Sequence, residues 1–139
     1  MLKQLLSVIV SPVTNLFVRI LVNDDPEQVQ AAAAALDNAD QIIVSSTVLC
    51  EVAWVLKRTY RLPSDEIADA IEKLLGSYRL NCDRLSIEGG LASIRAGAGF
   101  ADGVVATEAA RAGARFLSFD RRAVRALQSL GIDAATPGV

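Results

Sequence analysis

The sequence predicts an α/β domain of three layers, α/β/α, with a parallel central sheet. Short β-branched runs alternate along the chain with longer stretches of helical spacing, and that alternation gives a parallel sheet covered on both faces. Of 139 residues, 52% are hydrophobic, enough for a core of its own, so residues 1–139 are read as a single domain. Asp120 directly follows the apolar run Arg115 to Phe119. It therefore stands at the carboxyl end of a strand, where open α/β sheets bind their ligands.

The elements follow in order. Leu5 to Val10 reads as a first strand, and Thr14 to Val22 as a first helix or a strand-to-helix turn. Asp25, Pro26 and Gln28 form a helix start, with the acid as N-cap, proline in the first turn and Gln28 completing a capping box; the Ala31 to Ala35 tract continues that helix. Gln41 to Ser45 is the next strand, after which Ser46 or Thr47 caps a helix running to about Tyr60. Ser64 caps another, with Ile67, Ile71, Leu74 and Leu75 at helical spacing and Gly76 as its close. Leu80 to Leu85 reads as a third strand. A helix with Ile87, Leu91 and Ile94 in register follows, weakened by Gly89 and Gly90. Asp102 opens the next helix, Arg115 to Phe119 is a buried strand, and a helix from Arg121 to about Leu130 leads to a last strand near Ile132 to Ala134.

Composition narrows the chemistry. The chain has no histidine, which removes imidazole acid-base catalysis, Ser-His and Cys-His nucleophile pairs, and His-ligated zinc. Cys50 and Cys82 lie outside any C-x-x-C spacing and read as small buried hydrophobes in a reducing, cytoplasmic compartment. Lys3 followed by the uncharged run Gln4 to Val18 resembles a leader segment, but Pro12 and Asn15 interrupt it and it is shorter than a membrane span. A net charge of −2 argues against wholesale electrostatic binding of nucleic acid and leaves room for a local basic groove, for which Arg19, Arg58, Arg121, Arg122 and Arg125 are available.

Carboxylates must carry the chemistry that remains. Asp102 and Asp120 each have two readings, as a helix cap or as a functional acid on the ligand rim. Glu51 borders the buried stripe of its helix, where a carboxylate needs a partner; Arg58, seven residues on, is the plain candidate. Three acids on one rim repel each other unless a cation sits among them. Oxygen ligands without His or Cys select a hard ion, Mg²⁺ or Mn²⁺, and such an ion activates water and steadies a phosphodiester in hydrolysis.

The runs VTNLFVRIL (Val13 to Leu21), LCEVAWVL (Leu49 to Leu56), FADGVVATEAARAG and FLSFD resemble, in order and over nearly the whole chain, the PIN-domain ribonucleases, specifically VapC-type toxins of bacterial toxin-antitoxin pairs. The resemblance implies a Rossmann-like fold, Mg²⁺- or Mn²⁺-dependent cleavage of single-stranded regions of RNA, a homodimer, and a VapB-type antitoxin partner. It places Glu51, Asp102 and Asp120 at three of the family's four acidic positions, with Thr14, Asn15 and Ser118 as polar neighbours. Apart from the resemblance, Arg19, and Arg121 and Arg122 next to Asp120, are weaker candidates for substrate contact. The fourth position departs from the pattern. The family has an Asp just before the Thr-Asn pair, and this chain has Val13; it also has Gly99 where the family often carries an acid. An isopropyl group neither ligates a metal nor accepts a proton, so the sequence points to a ribonuclease that is impaired, or to a silent domain that binds antitoxin or RNA without cutting.

Two further features have bland and sharp readings. Gly97, Gly99 and Gly103 form G-x-G-x-x-x-G before a helix, close to a dinucleotide fingerprint, but LASIRA before them is a poor strand. Trp54 could stack on a base, although packing against a neighbouring helix is the commoner use of such a ring.

Overall fold

A computed structural model describes residues 7–138, so part of the expected first strand and of the leader-like run lies outside the described residues. Seven helices and five short strands occur among the described residues, and no helix is long and apolar enough to cross a membrane.

Strand β1 is Ile9–Val10. It stops because Pro12 follows within two residues and has no N–H for a ladder. Helix α1, Thr14–Val22, starts there with Val13 at its N-cap, and buries Phe17 and Val18. Helix α2, Pro26–Asp37, begins as expected, with the Asp25 carboxylate accepting from the Gln28 N–H at 3.2 Å. Strand β2, Gln41–Ile43, is shorter than read, because the cap of α3, Ser46–Arg58, is Ser45 instead of Ser46 or Thr47; its hydroxyl accepts from the Thr47 N–H at 3.2 Å.

The cap of α4, Ser64–Ser77, is also displaced by one residue. Pro63 holds the N-cap position in extended backbone, Ser64 is the first helical residue, and the helix continues through Gly76 to leave by the extended Tyr78. Strand β3 is only Leu80–Asn81. Asp83 cuts it short by capping α5, Arg84–Ala96, with its carboxylate accepting from the Ser86 N–H at 3.4 Å and the Ser86 hydroxyl at 2.9 Å. Helix α6 is Phe100–Arg111, β4 is Phe116–Leu117, α7 is Arg121–Ser129 and β5 is Ala134–Ala135.

All strand pairs are parallel, and the architecture is a three-layer α/β/α fold. The sheet differs from the single one expected in that it comes in two pieces, ordered β1-β2-β3 and β4-β5. The Phe116 and Ser118 N–H groups donate to the Asp133 and Ala135 carbonyls of the β5 side, so Leu117 between them faces the other edge. Among the described residues no strand pairs with that edge of β4 or with the outer edge of β1. Caps set the reason: each begins within two or three residues of a strand, leaving ladders too short to extend.

The main core gathers Phe17, Leu49, Leu56, Ile67, Ile71 and Ile87 from α1, α3, α4 and α5. The second sheet piece has a smaller core, Phe116, Val124, Leu127 and Ala134, closed by Ala106 of α6. Between the two, α5 and α6 cross in close contact. A Cβ at Gly103 of α6 would run into the Gly89 carbonyl oxygen and the Ser93 Cβ of α5, and would stand 2.8 Å from the Gly90 Cα. The glycines that weaken α5 as an isolated helix are what let α6 lie against it.

Candidate active site

Helix α6 does not begin at Asp102. Gly99 is its N-cap and Asp102 its third residue, whose carboxylate reaches back to accept from the Gly99 N–H at 3.0 Å. The start is shifted because Phe100 is buried and because the Gly99 carbonyl is fixed from α5 by the Ser93 hydroxyl, at 2.9 Å. This geometry also disposes of the dinucleotide pattern: LASIRA lies in α5, Gly97 ends that helix in the left-handed region at φ 104°, and Gly103 is spent on the helix crossing.

Asp120 caps α7, accepting from the Ala123 N–H at 3.1 Å, while the Ser118 hydroxyl accepts from the Asp120 N–H at 3.0 Å. Ser118 thus shapes the turn that presents Asp120. Both aspartates line one open cavity of about 490 Å³, together with Lys57, Ser64, Arg95 and Arg122. The rim position expected for Asp120 therefore brings it to Asp102, and each acid keeps its capping bond as well.

Glu51 stands elsewhere. It lines a separate hollow of about 330 Å³ with Val13, Thr14, Asn15 and Arg19, and its carboxylate accepts from the Thr14 hydroxyl at 2.9 Å. The expected pairing with Arg58 is not formed, because the Arg58 guanidinium lies over the Trp54 ring, 5.8 Å from its centroid. Val13, 59% exposed, offers no side-chain cap to α1 and no ligand atom to the hollow. Asn15 lies exposed on the same wall. Arg19 is committed elsewhere, with its guanidinium paired to Asp24 at 2.7 Å and bonded to the Tyr60 hydroxyl at 2.8 Å. Arg121 is exposed beside Asp120 but does not line the larger cavity; Arg122 does.

The donor set is all oxygen, as a hard divalent ion requires, but its arrangement does not fit a metal held by three acids. Among the described residues no group of three His, Cys, Asp or Glu side chains converges on one point. Asp102 and Asp120 face one hollow and Glu51 another, where Val13 presents an isopropyl group. The larger cavity is lined by three carboxylates, Asp65, Asp102 and Asp120, and three cations, Lys57, Arg95 and Arg122, and can hold a ligand among them.

Lys57, Asp65 and Arg95 line this cavity without having stood out in the sequence, and Lys57 alone had a signal. Its signal was its spacing, three residues after Trp54 and hence on the same side of α3. Cys50 is half-buried, as is Cys82, and burial, then the Glu108 and Glu51 charges, pushes the Cys50 thiol up. It stays protonated at neutral pH and is no nucleophile.

No curated protein matches this chain. The family model for the PIN domain matches residues 12–127, a stretch that takes in Val13, Glu51, Asp102 and Asp120, and the chain belongs to the PIN domain family.

Proposed function

We propose that this protein is a VapC-type ribonuclease, acting on single-stranded regions of RNA, whose cleavage is impaired because Val13 stands where the family carries its first acid. PIN domains are generally nucleases that use divalent metals. The observation that carries the reading is the meeting of Asp102 and Asp120 in one open cavity with Lys57 and Arg122. Carboxylates polarise an attacking water, and cations hold a phosphodiester in place. Oxygen donors of this kind suit Mg²⁺ or Mn²⁺, and with Glu51 in a separate hollow only Asp102 and Asp120 are placed to hold such an ion together. Glu51 with Thr14 belongs to the same function as the wall on which the missing acid would stand. A VapB-type antitoxin, a second copy of the chain and a cytoplasmic setting complete the proposal.

Replacing Val13 by Asp tests it. The Val13→Asp chain should cleave RNA in Mg²⁺ or Mn²⁺ at least tenfold faster than the parent, and vigorous, equal cleavage by both would remove Val13 from the account. A second reading, a silent domain that binds antitoxin or RNA without cutting, draws on the separation of Glu51 from the two aspartates. It expects copurification with the antitoxin and no metal-dependent cleavage from either chain.

A further inference from the structure

The cavity that holds Asp102 and Asp120 opens into a second hollow of about 250 Å³; Lys57, Ser64 and Asp102 belong to the walls of both, so the two form one trough. The smaller end is apolar, walled by Cys50, Ala53, Trp54 and Phe100. The larger end is charged. We propose that this trough is a subsite for one nucleotide of single-stranded RNA, with the base stacked on Trp54 and the adjoining phosphate held between Lys57 and Arg122; the proposal rests on the ribonuclease reading and names how its substrate is gripped.

Three observations carry it. Trp54 is 62% exposed on a helix whose other large apolar residues are buried or partly buried, and water gains nothing from an indole presented in this way. Arg58 covers one face of the ring, which leaves the other for a flat partner. Charge is the second. Arg95, in the same cavity, is neutralised by Asp69 at 2.7 Å and Glu72 at 3.1 Å, whereas Lys57 and Arg122 form no salt bridge among the described residues. Third, Trp54 and Lys57 are three residues apart on α3, so the ring and the ammonium lie side by side. A base and its own phosphate are neighbours in the same way. Bases inside a duplex have both faces covered, so an aromatic platform selects unpaired ones.

The chain has a single tryptophan, and its fluorescence therefore reports on this position alone. The full chain is titrated with a fluorescently labelled hexaribonucleotide in EDTA, so that cleavage does not intervene, following indole emission and label anisotropy together. Quenching should saturate with the anisotropy. Trp54→Ala should weaken binding about tenfold or more, with Trp54→Phe recovering most of it, since stacking needs the ring and not the indole nitrogen. Lys57→Ala and Arg122→Ala should each lower affinity and reduce the salt slope by about one. The deoxyribose hexamer should quench as well, because base and phosphate are shared, and a duplex of the same sequence should not. Anisotropic binding with Trp54 emission unmoved, and affinity unchanged in Trp54→Phe and Trp54→Ala, overturns the subsite and leaves the ribonuclease reading standing. No binding of any single strand overturns both.

Discussion

An asparagine at position 102 or 120 keeps the capping hydrogen bond and drops the charge, because an amide oxygen accepts from a backbone N–H as a carboxylate does. Asp102→Asn and Asp120→Asn should therefore stay within about 0.5 kcal/mol of the parent in urea denaturation, while the alanine variants lose about 1 kcal/mol each. Cleavage in the Val13→Asp background should fall in all four, which separates what these acids do for the helices from what they do for RNA. Val13 invites the opposite change. It is an exposed valine at an N-cap with no side-chain bond, so Val13→Asn should raise stability by about 0.5–2 kcal/mol without adding charge beside Glu51. Unchanged or lower stability would mean that the valine packs in a way its exposure does not suggest.

At the scale of elements, the crossing of α5 and α6 is where a single methyl matters most. Gly103→Ala must push apart two backbones and should cost about 1–3 kcal/mol or more, seen as a lower denaturation midpoint. Gly89→Ala meets the Thr107 hydroxyl, which can turn, and the Thr107 Cβ at 2.9 Å and the Gly103 carbonyl oxygen at 3.1 Å, which must shift, but it regains helix propensity of about 1 kcal/mol; it should be the milder of the two. This crossing also shows what the sequence could and could not convey. The apolar spacing of Ile67, Ile71 and Leu74, or of Ile87, Leu91 and Ile94, marks buried helix faces, and all of these are buried. The glycines Gly89 and Gly90 read as a weakness because propensity is local, while their use, a partner helix at van der Waals distance, is not. Helix starts were legible to within a residue or a turn: Ser45, Pro63 and Gly99 hold caps read one to three positions later, since neighbouring residues can each serve and only backbone geometry decides. Strands of two or three residues carry no period at all, so neither their ends nor the break in the sheet was visible. Lys57 joined the cavity unannounced for the same reason, because Ser64, Arg95 and Asp120 reach it from other elements.

For the molecule as a whole, acid should weaken the tie between the start of α5 and the end of α6. Hydrogen bonds from the Ser86 hydroxyl and the Arg111 guanidinium, at 2.9 Å and 2.7 Å, hold the Asp83 carboxyl below the usual carboxylate range. A depressed folded pKa gives stability that is full above the unfolded value, near 4, and is lost as pH falls through the folded one. Melting curves between pH 5 and about pH 2 should show this loss, and Asp83→Asn should be less stable at neutral pH and flatter in that range. An identical acid slope in both chains would move the linkage to another carboxylate.

The separation of β4 and β5 from the three-stranded sheet gives Asp120 an energetics of its own. Phe119 next to it is 81% exposed, and β4, α7 and β5 share a small core that meets the rest of the protein through α5 and α6. That segment can open without breaking the three-stranded sheet. Amide hydrogens of Phe116 and Ser118, bonded only to the β5 side, should then exchange by a partial opening, while that of Val44, bonded across to Asn81 at 2.9 Å, waits for global unfolding. A ligand that spans Lys57 and Asp120 closes the opening by mass action. Slower exchange at Phe116 and Ser118 on adding an RNA hexamer, with Val44 unchanged, would register substrate on a strand that the substrate never touches.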